Sequence, residues 1–210
     1  SNGNIDWQKC YGGSDADRAW IIKKTNDDGY IIGGITYSND VNGFHGGIID
    51  GMIVKIDSIG NIQWQKAYGG TNQDFIRTIN LTNDGGYIVG GESLSSDFDV
   101  ESNNGDSDAW IMKLDSLGNV AWKKSYGGPG TGGDGARSIM QTKDGGYIFS
   151  GYSSGAGGDI ISNNGLLDYW IVKLNSSGNI TWQKNYGGSD YDMSSSIIEG
   201  SDNDYLVTGR

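Results

Sequence analysis

Several residue types that define common function classes are nearly missing. In 210 residues there is one cysteine, one proline and one histidine. A single thiol cannot close an intramolecular disulfide, so cysteine usage points to no redox compartment. One Cys and one His make no zinc set of the usual composition, and they leave no Ser-His-Asp or Cys-His arrangement for nucleophilic catalysis. Basic charge is also scarce: 15 Lys and Arg stand against 26 Asp and Glu, a formal charge of −11. A nucleic-acid surface needs clustered Lys and Arg, and these are scattered, so no nucleic-acid partner is expected. Nowhere do about 18 apolar residues run together, so no transmembrane segment is expected. The opening Ser-Asn-Gly lacks the charged start and apolar run of a signal peptide. Neither a Gly-x-Gly-x-x-Gly leading into a helix nor a P-loop occurs in suitable context.

Glycine and aromatic residues are abundant. The 37 Gly exceed the usual share of about 7% more than twofold, which calls for many tight turns and disfavours long helical bundles. Seven Trp and 12 Tyr supply apolar surface for a core despite the acidity. One unit returns four times, at Asn4–Gly13, Asn61–Gly70, Asn119–Gly128 and Asn179–Gly188, each reading Asn-[Ile/Val]-x-Trp-[Gln/Lys]-Lys-x-Tyr-Gly-Gly. The periods are 57, 58 and 60 residues, giving repeats of about 4–60, 61–118, 119–178 and 179–210 within a single domain, 1–210. Cys10 shares its slot with Ala67, Ser125 and Asn185, the pattern of a small structural residue.

Four short apolar or alternating segments per unit, bounded by turn residues, give the signal of strands. They begin at Arg18, Tyr30, Met52 and Asn61 in the first full unit. Thr25–Gly29, Thr82–Gly86 and Thr142–Gly146 connect the first two segments, and Asp57–Gly60, Asp115–Gly118 and Asn175–Gly178 connect the last two. Both connections suit hairpins. The expected fold is all-β: a propeller of four-stranded antiparallel blades, with about 3.75 repeats visible. Such small sheets bury their faces by stacking on one another.

The order from Tyr87–Gly91 through Asp108–Asp115 to Trp122 resembles the kelch-type propeller blade. The Trp-Gln-Lys-x-Tyr-Gly-Gly and Thr-x-Asp-Gly-Gly-Tyr elements resemble repeats of secreted bacterial surface proteins. At Ser150-Gly151 and Thr208-Gly209 one Gly of the kelch pair is lost, a departure from that pattern. The Thr-x-Asp-x-Gly turn is also similar to the Asp-box turn of sialidase propellers, but Tyr30, Tyr87, Tyr147 and Tyr205 take the place of its Trp. The kelch-like order implies that the first strand lies innermost and the Trp strand outermost. Residues 4–10 then supply one outer strand, followed by three complete blades and the first two strands of another. That count fits either an imperfect four-blade ring or, the expectation here, an excerpt of a larger ring. Open blade edges would then favour self-association.

Candidate site residues follow from comparing the repeats, because a catalytic group needs a unique setting whereas a structural one recurs. Asp17, Asp74, Asp134 and Asp192 recur after the Tyr-Gly-Gly turn. They are read either as acceptors for backbone N–H groups or as an acidic rim that binds a cation or polar ligand. Asp97, Asp99 and Glu101 alternate in one loop. Oxygen donors at that spacing suit Ca²⁺, although Ser102 stands where an EF-hand needs Gly; otherwise no cofactor is expected. His45 falls where Asn104 and Asn164 stand, which suggests a left-handed turn residue. Trp7, Trp64, Trp122 and Trp182 are read as packing between sheets rather than as a sugar ladder. Arg77 and Arg137, opposite Trp20 and Ser195 in the same slot, are the asymmetry to inspect near the channel.

Two functions remain. One is a non-enzymatic, secreted or cell-surface scaffold that binds a protein or glycan partner through its blade loops. The other is a carbohydrate-active propeller, of glycoside hydrolase or lyase type, that uses loop carboxylates.

Overall fold

A computed structural model describes residues 2–202 and 204–210. Its strands fall into the expected series. The first blade comprises β1 (Asp17–Lys24), β2 (Tyr30–Thr36), β3 (Asp50–Ile56) and β4 (Ile62–Tyr68). The second comprises β5 (Asp74–Leu81), β6 (Tyr87–Ser93), β7 (Asp108–Leu114) and β8 (Val120–Tyr126), and the third β9 (Gly135–Gln141), β10 (Tyr147–Ser153), β11 (Asp168–Leu174) and β12 (Ile180–Tyr186). β13 (Ser194–Glu199) and β14 (Tyr205–Gly209) form a two-stranded sheet. Each four-stranded sheet is an antiparallel meander in chain order. The chain is thus an all-β propeller of four-stranded blades. Among the described residues no helix is long and apolar enough to cross a membrane.

The first strands touch in sequence, β1 to β5, β5 to β9 and β9 to β13, so they line the axis. The third strands are buried along their whole length, apart from one half-buried Tyr169 in β11. Between the first two blades Ile31, Ile53, Ile76, Ile79, Val89 and Met112 share one apolar cluster. Ile88, Ile111, Ile139, Phe149, Trp170 and Val172 do the same between the second and third. At each of these two interfaces the facing sheets are therefore buried against one another, as small sheets must be.

At the outer edge, Trp64 packs on Tyr87, Trp122 on Tyr147 and Trp182 on Tyr205, with ring centroids 6.1, 5.6 and 5.9 Å apart. In each case the outer-strand indole meets the Tyr that opens the second strand of the next blade. Tyr68 and Tyr126 donate their hydroxyls to the carbonyls of Gly118 and Gly178. Trp64 and Trp122 thus occupy matching surroundings, and the indoles serve the packing between sheets.

A buried Lys on every third strand is tied to the Thr-x-Asp turn. Lys55, Lys113 and Lys173 each place Nζ 2.8 Å from a carboxylate oxygen of Asp27, Asp84 or Asp144. The same ammonium groups donate to the carbonyls of Ile56, Leu114 and Leu174. The aliphatic stem fills the core while the charge keeps a partner at the blade edge.

The innermost strands carry a recurring irregularity. In β1, β5, β9 and β13 the register slips at one residue, Trp20, Arg77, Arg137 or Ser195. Each is a β-bulge, which leaves one residue unpaired and re-aims its side chain. The bulge presses a carbonyl against the facing second strand. A Cβ on Gly34, Gly91 or Gly151 would lie 1.8, 1.7 or 1.7 Å from the carbonyl oxygen of Arg18, Phe75 or Gly135. This explains the departure from the double-Gly pattern: Ser150 and Thr208 replace the glycine that faces side chains, while Gly151 and Gly209 keep the one that faces the bulge.

One expectation fails. Residues 4–10 form no strand, because no third strand lies beside them among the described residues and a strand exists only through its ladder. Their side chains still repeat the outer-strand contacts: Tyr11 donates to Gly60 O at 2.9 Å and Lys9 to Asn61 Oδ1 at 2.7 Å. They do not pair with β14, and the outward face of β1 is exposed. The described blades form an open series rather than a closed ring.

The bulge makes a sharp prediction. Gly91→Ala drives a methyl into a backbone carbonyl and should cost about 1–3 kcal/mol, whereas Gly90→Ser, which copies the third blade, should cost far less. Thermal unfolding of the two variants measures the contrast.

Candidate functional site

Recurring acids occupy every blade junction. Asp17, Asp74, Asp134 and Asp192 each accept the N–H of the second glycine of the Tyr-Gly-Gly turn, from Gly13, Gly70, Gly128 and Gly188, at 2.7–2.8 Å. Ser38 and Ser95 hydroxyls donate to Asp17 and Asp74, and the Ser154 N–H donates to Asp134. These carboxylates therefore fasten the crossover turn to the innermost strand. Asp74 and Asp134 are buried, which removes them from any open rim.

A second acid row, invisible as a site in the sequence, stands at the start of each third strand. Asp50, Asp108 and Asp168 accept the N–H groups of His45, Asn104 and Asn164 at 2.8, 3.0 and 2.6 Å. Their other oxygens, Oδ1 in each case, are buried and have no hydrogen-bond partner. A Cβ on Gly127 would lie 2.3 Å from Asp108 Oδ1 and 2.8 Å from Asp134 Oδ2, so both carboxylates face one point. Burial, then the neighbouring Asp74 and Asp99 charges, push Asp50 up to about 7, against the opposing pull of the His45 N–H. Burial foremost, with further repulsion from neighbouring aspartates, pushes Asp108 and Asp134 up to about 6.

The slot shared by His45, Asn104 and Asn164 is thus a backbone donor to an acid. None of the three has positive φ, which among the described non-glycine residues belongs to Asp28 and Phe98. The expectation of a left-handed turn at His45 fails because the N–H must point at Asp50. The His45 ring instead stacks on Phe98 at 4.5 Å.

The alternating acids do not converge. Asp97 accepts the N–H and hydroxyl of Thr71, Asp99 lies 3.7 Å from His45 Nδ1, and Glu101 lines a shallow cleft with Lys124 and Asp159. Among the described residues no group of three or more His, Cys, Asp or Glu side chains is placed to hold a metal ion. The three carboxylates thus point to separate surroundings.

A cleft of about 410 Å³ lies between the outer edges of the first two blades and includes Asp27, Lys55, Trp64 and Tyr87. A counterpart with Asp144, Lys173 and Trp182 opens beside the third blade. Because it recurs, it is a by-product of stacking and not a unique site.

Uniqueness appears where the bulges point. The bulge row reads Trp20, Arg77, Arg137, Ser195 along the series, and the row just after the retained glycine reads Ile35, Glu92, Tyr152, Arg210. The second row differs in every blade, and the bulge row changes everywhere except that the two middle blades both carry Arg. Arg77 grips Glu92 Oε1 through Nη2 at 2.6 Å and Nε at 3.0 Å. Glu92 Oε2 accepts the Tyr152 hydroxyl at 3.0 Å and lies 3.5 Å from Arg137 Nη2. The Arg77 guanidinium lies over both Trp20 and Phe75, 4.9 and 4.7 Å from the ring centroids, and Arg137 lies 5.2 Å from Tyr152. Gly135 leaves the room this cluster needs, since a Cβ there would meet Tyr152 and Glu92 at 2.8 and 2.9 Å. The repeat pattern points to both arginines but not to Glu92, which lies beyond the repeated Tyr-to-Gly segment of the second strand.

No family model matches the chain, and no curated protein matches it. Among solved structures it is similar to a protein of unknown function from Bacteroides caccae, at 10% identity over 84% of this chain and 72% of that one, with a TM-score of 0.26.

The junction acids predict an unusual pH profile. The folded-state pKa values of Asp50, Asp108 and Asp134 lie above the unfolded carboxylate value, so stability should rise as pH falls from 8 through 7 and 6, and be full only below about 4. The depressed Asp84 and Asp144, held down to about 2, contribute in the opposite sense, and their stabilisation is lost as pH falls from about 4 towards 2. Melting temperature should therefore peak near pH 4–5. Asp108→Asn should raise it at pH 8 and flatten the neutral limb.

Proposed function

We propose that the chain is a non-enzymatic binding propeller of kelch-like repeats, of the kind that secreted bacterial surface proteins carry. It holds a protein or glycan partner at its axial rows and acts outside the cell or on its surface. The observation that supports this reading is the asymmetry of the bulge row. Everything the blades need in order to fold recurs in each of them, from the Lys–Asp ties to the Trp–Tyr contacts. The residues at the bulges and just after the retained glycines vary along the series, with only Arg77 and Arg137 alike, and cluster as guanidinium, carboxylate, phenol and indole. Arginine and aromatic side chains are the usual anchors of binding surfaces. The open faces of the terminal blades favour self-association as a secondary contact.

A carbohydrate-active enzyme needs two carboxylates flanking an accessible substrate. The aspartate pairs at the middle junctions are closed to solvent, and Glu92 is occupied by two guanidiniums and a phenol. No observation favours hydrolysis or lysis.

Glycan and peptide arrays probed with the parent chain and with the Arg77→Gln/Arg137→Gln double variant test the reading. The parent should retain a set of ligands that the variant loses by tenfold or more, with none of them cleaved. Turnover of a glycan that disappears on a single carboxylate substitution would establish the enzyme instead.

A further inference from the structure

All four arginines of the chain, Arg18, Arg77, Arg137 and Arg210, lie at the bulge end of the innermost hairpins, and none of the 11 lysines does. Arg18 pairs with Ile35 beside the first bulge. Arg210 continues the last hairpin, exchanging backbone hydrogen bonds with Met193 in both directions at 2.8 and 3.0 Å. In a chain of charge −11 every guanidinium is thus gathered at one end of the innermost hairpins, the end where Asp17, Asp74, Asp134 and Asp192 also lie. Glu92 is shared by Arg77 and Arg137, while among the described residues Arg18 and Arg210 form no ion pair. Arginine differs from lysine in offering a rigid planar fork that matches a carboxylate in two parallel hydrogen bonds.

Arg137 and Arg210 also line one cleft, of about 240 Å³, together with Met193, Ser194 and Ser195. Ser194 is 1% exposed and its Oγ has no hydrogen-bond partner, a cost that a bound polar group would relieve. The walls offer side chains rather than backbone, because the Met193 and Arg210 amides and carbonyls are already paired with each other. An extended peptide would find no free ladder there. Two guanidiniums, two hydroxyls and one thioether suit a compact unit that presents a carboxylate beside hydroxyl and C–H groups.

We infer that this cleft binds the carboxylate of an acidic sugar unit, a hexuronate, within a glycan. The inference rests on the binding reading above and names its ligand class. Arg137 and Arg210 hold the carboxylate, Ser194 and Ser195 meet sugar hydroxyls, and Met193 covers C–H surface.

Calorimetric titration of the full chain with a hexuronate oligosaccharide, the matching neutral hexose oligosaccharide and a Glu-rich peptide tests it. The expected result is binding of the hexuronate alone, weakening as salt rises, reduced tenfold or more by Arg137→Gln or Arg210→Gln and several-fold by Ser194→Ala. Unchanged melting temperatures of the Arg210→Gln and Ser194→Ala chains separate lost contacts from lost folding. Equal affinity for the neutral oligosaccharide, or no hexuronate binding at millimolar concentration, overturns the inference. Peptide binding that depends on the same arginines overturns it as well, while leaving the chain a binding propeller.

Discussion

A carbonyl pressed against a glycine is the constraint on which the rest of this molecule depends. In every innermost strand one residue bulges out of the ladder, and the carbonyl ahead of it occupies the space a side chain would take on the second strand. Only glycine fits opposite, which is why Gly34, Gly91, Gly151 and Gly209 persist while their neighbours change. The bulged residue is excused from pairing in the ladder. Its side chain is free to vary, so a repetitive scaffold can present different chemistry at each step around its axis.

The remaining polar design keeps that scaffold in register. Each blade carries a buried ammonium held by a turn carboxylate, and each junction carries carboxylates that gather the amides of the crossover. The first arrangement pairs opposite charges and lowers the acid's pKa. The second buries carboxylates beside one another, and at the middle junctions that burial, with like-charge repulsion added, raises the pKa of Asp50, Asp108 and Asp134. Acidic solubility and neutral-pH stability therefore pull against each other at the middle blade junctions.

Much of this was legible in the sequence because it repeats. The period, the four segments per unit, the hairpin turns and the Trp contacts all follow from aligning the chain with itself, and the aspartates after the Tyr-Gly-Gly turn follow in their structural sense. What was not legible depends on neighbours distant in sequence. Residues 4–10 carry the outer-strand pattern but have no ladder partner, and a pattern cannot report its partner. His45 shares its slot with two asparagines for the direction of one N–H, not for a backbone region. Asp97, Asp99 and Glu101 have the spacing of a cation loop, yet Thr71 and His45 draw two of them apart. Glu92 escaped notice because its role exists only where the bulges of two blades and the Tyr152 hydroxyl meet.

The central claim is that the axial cluster is carried by the scaffold and is not part of it. The most direct measurement is thermal unfolding of a chain in which Arg77, Arg137 and Glu92 are all replaced by Gln, so that no charge is left without its partner. The account predicts the same β-sheet circular dichroism and a cooperative transition within a few degrees of the parent. Loss of the transition, or a fall as large as that from a disrupted blade interface, would place these residues in the framework and contradict the account.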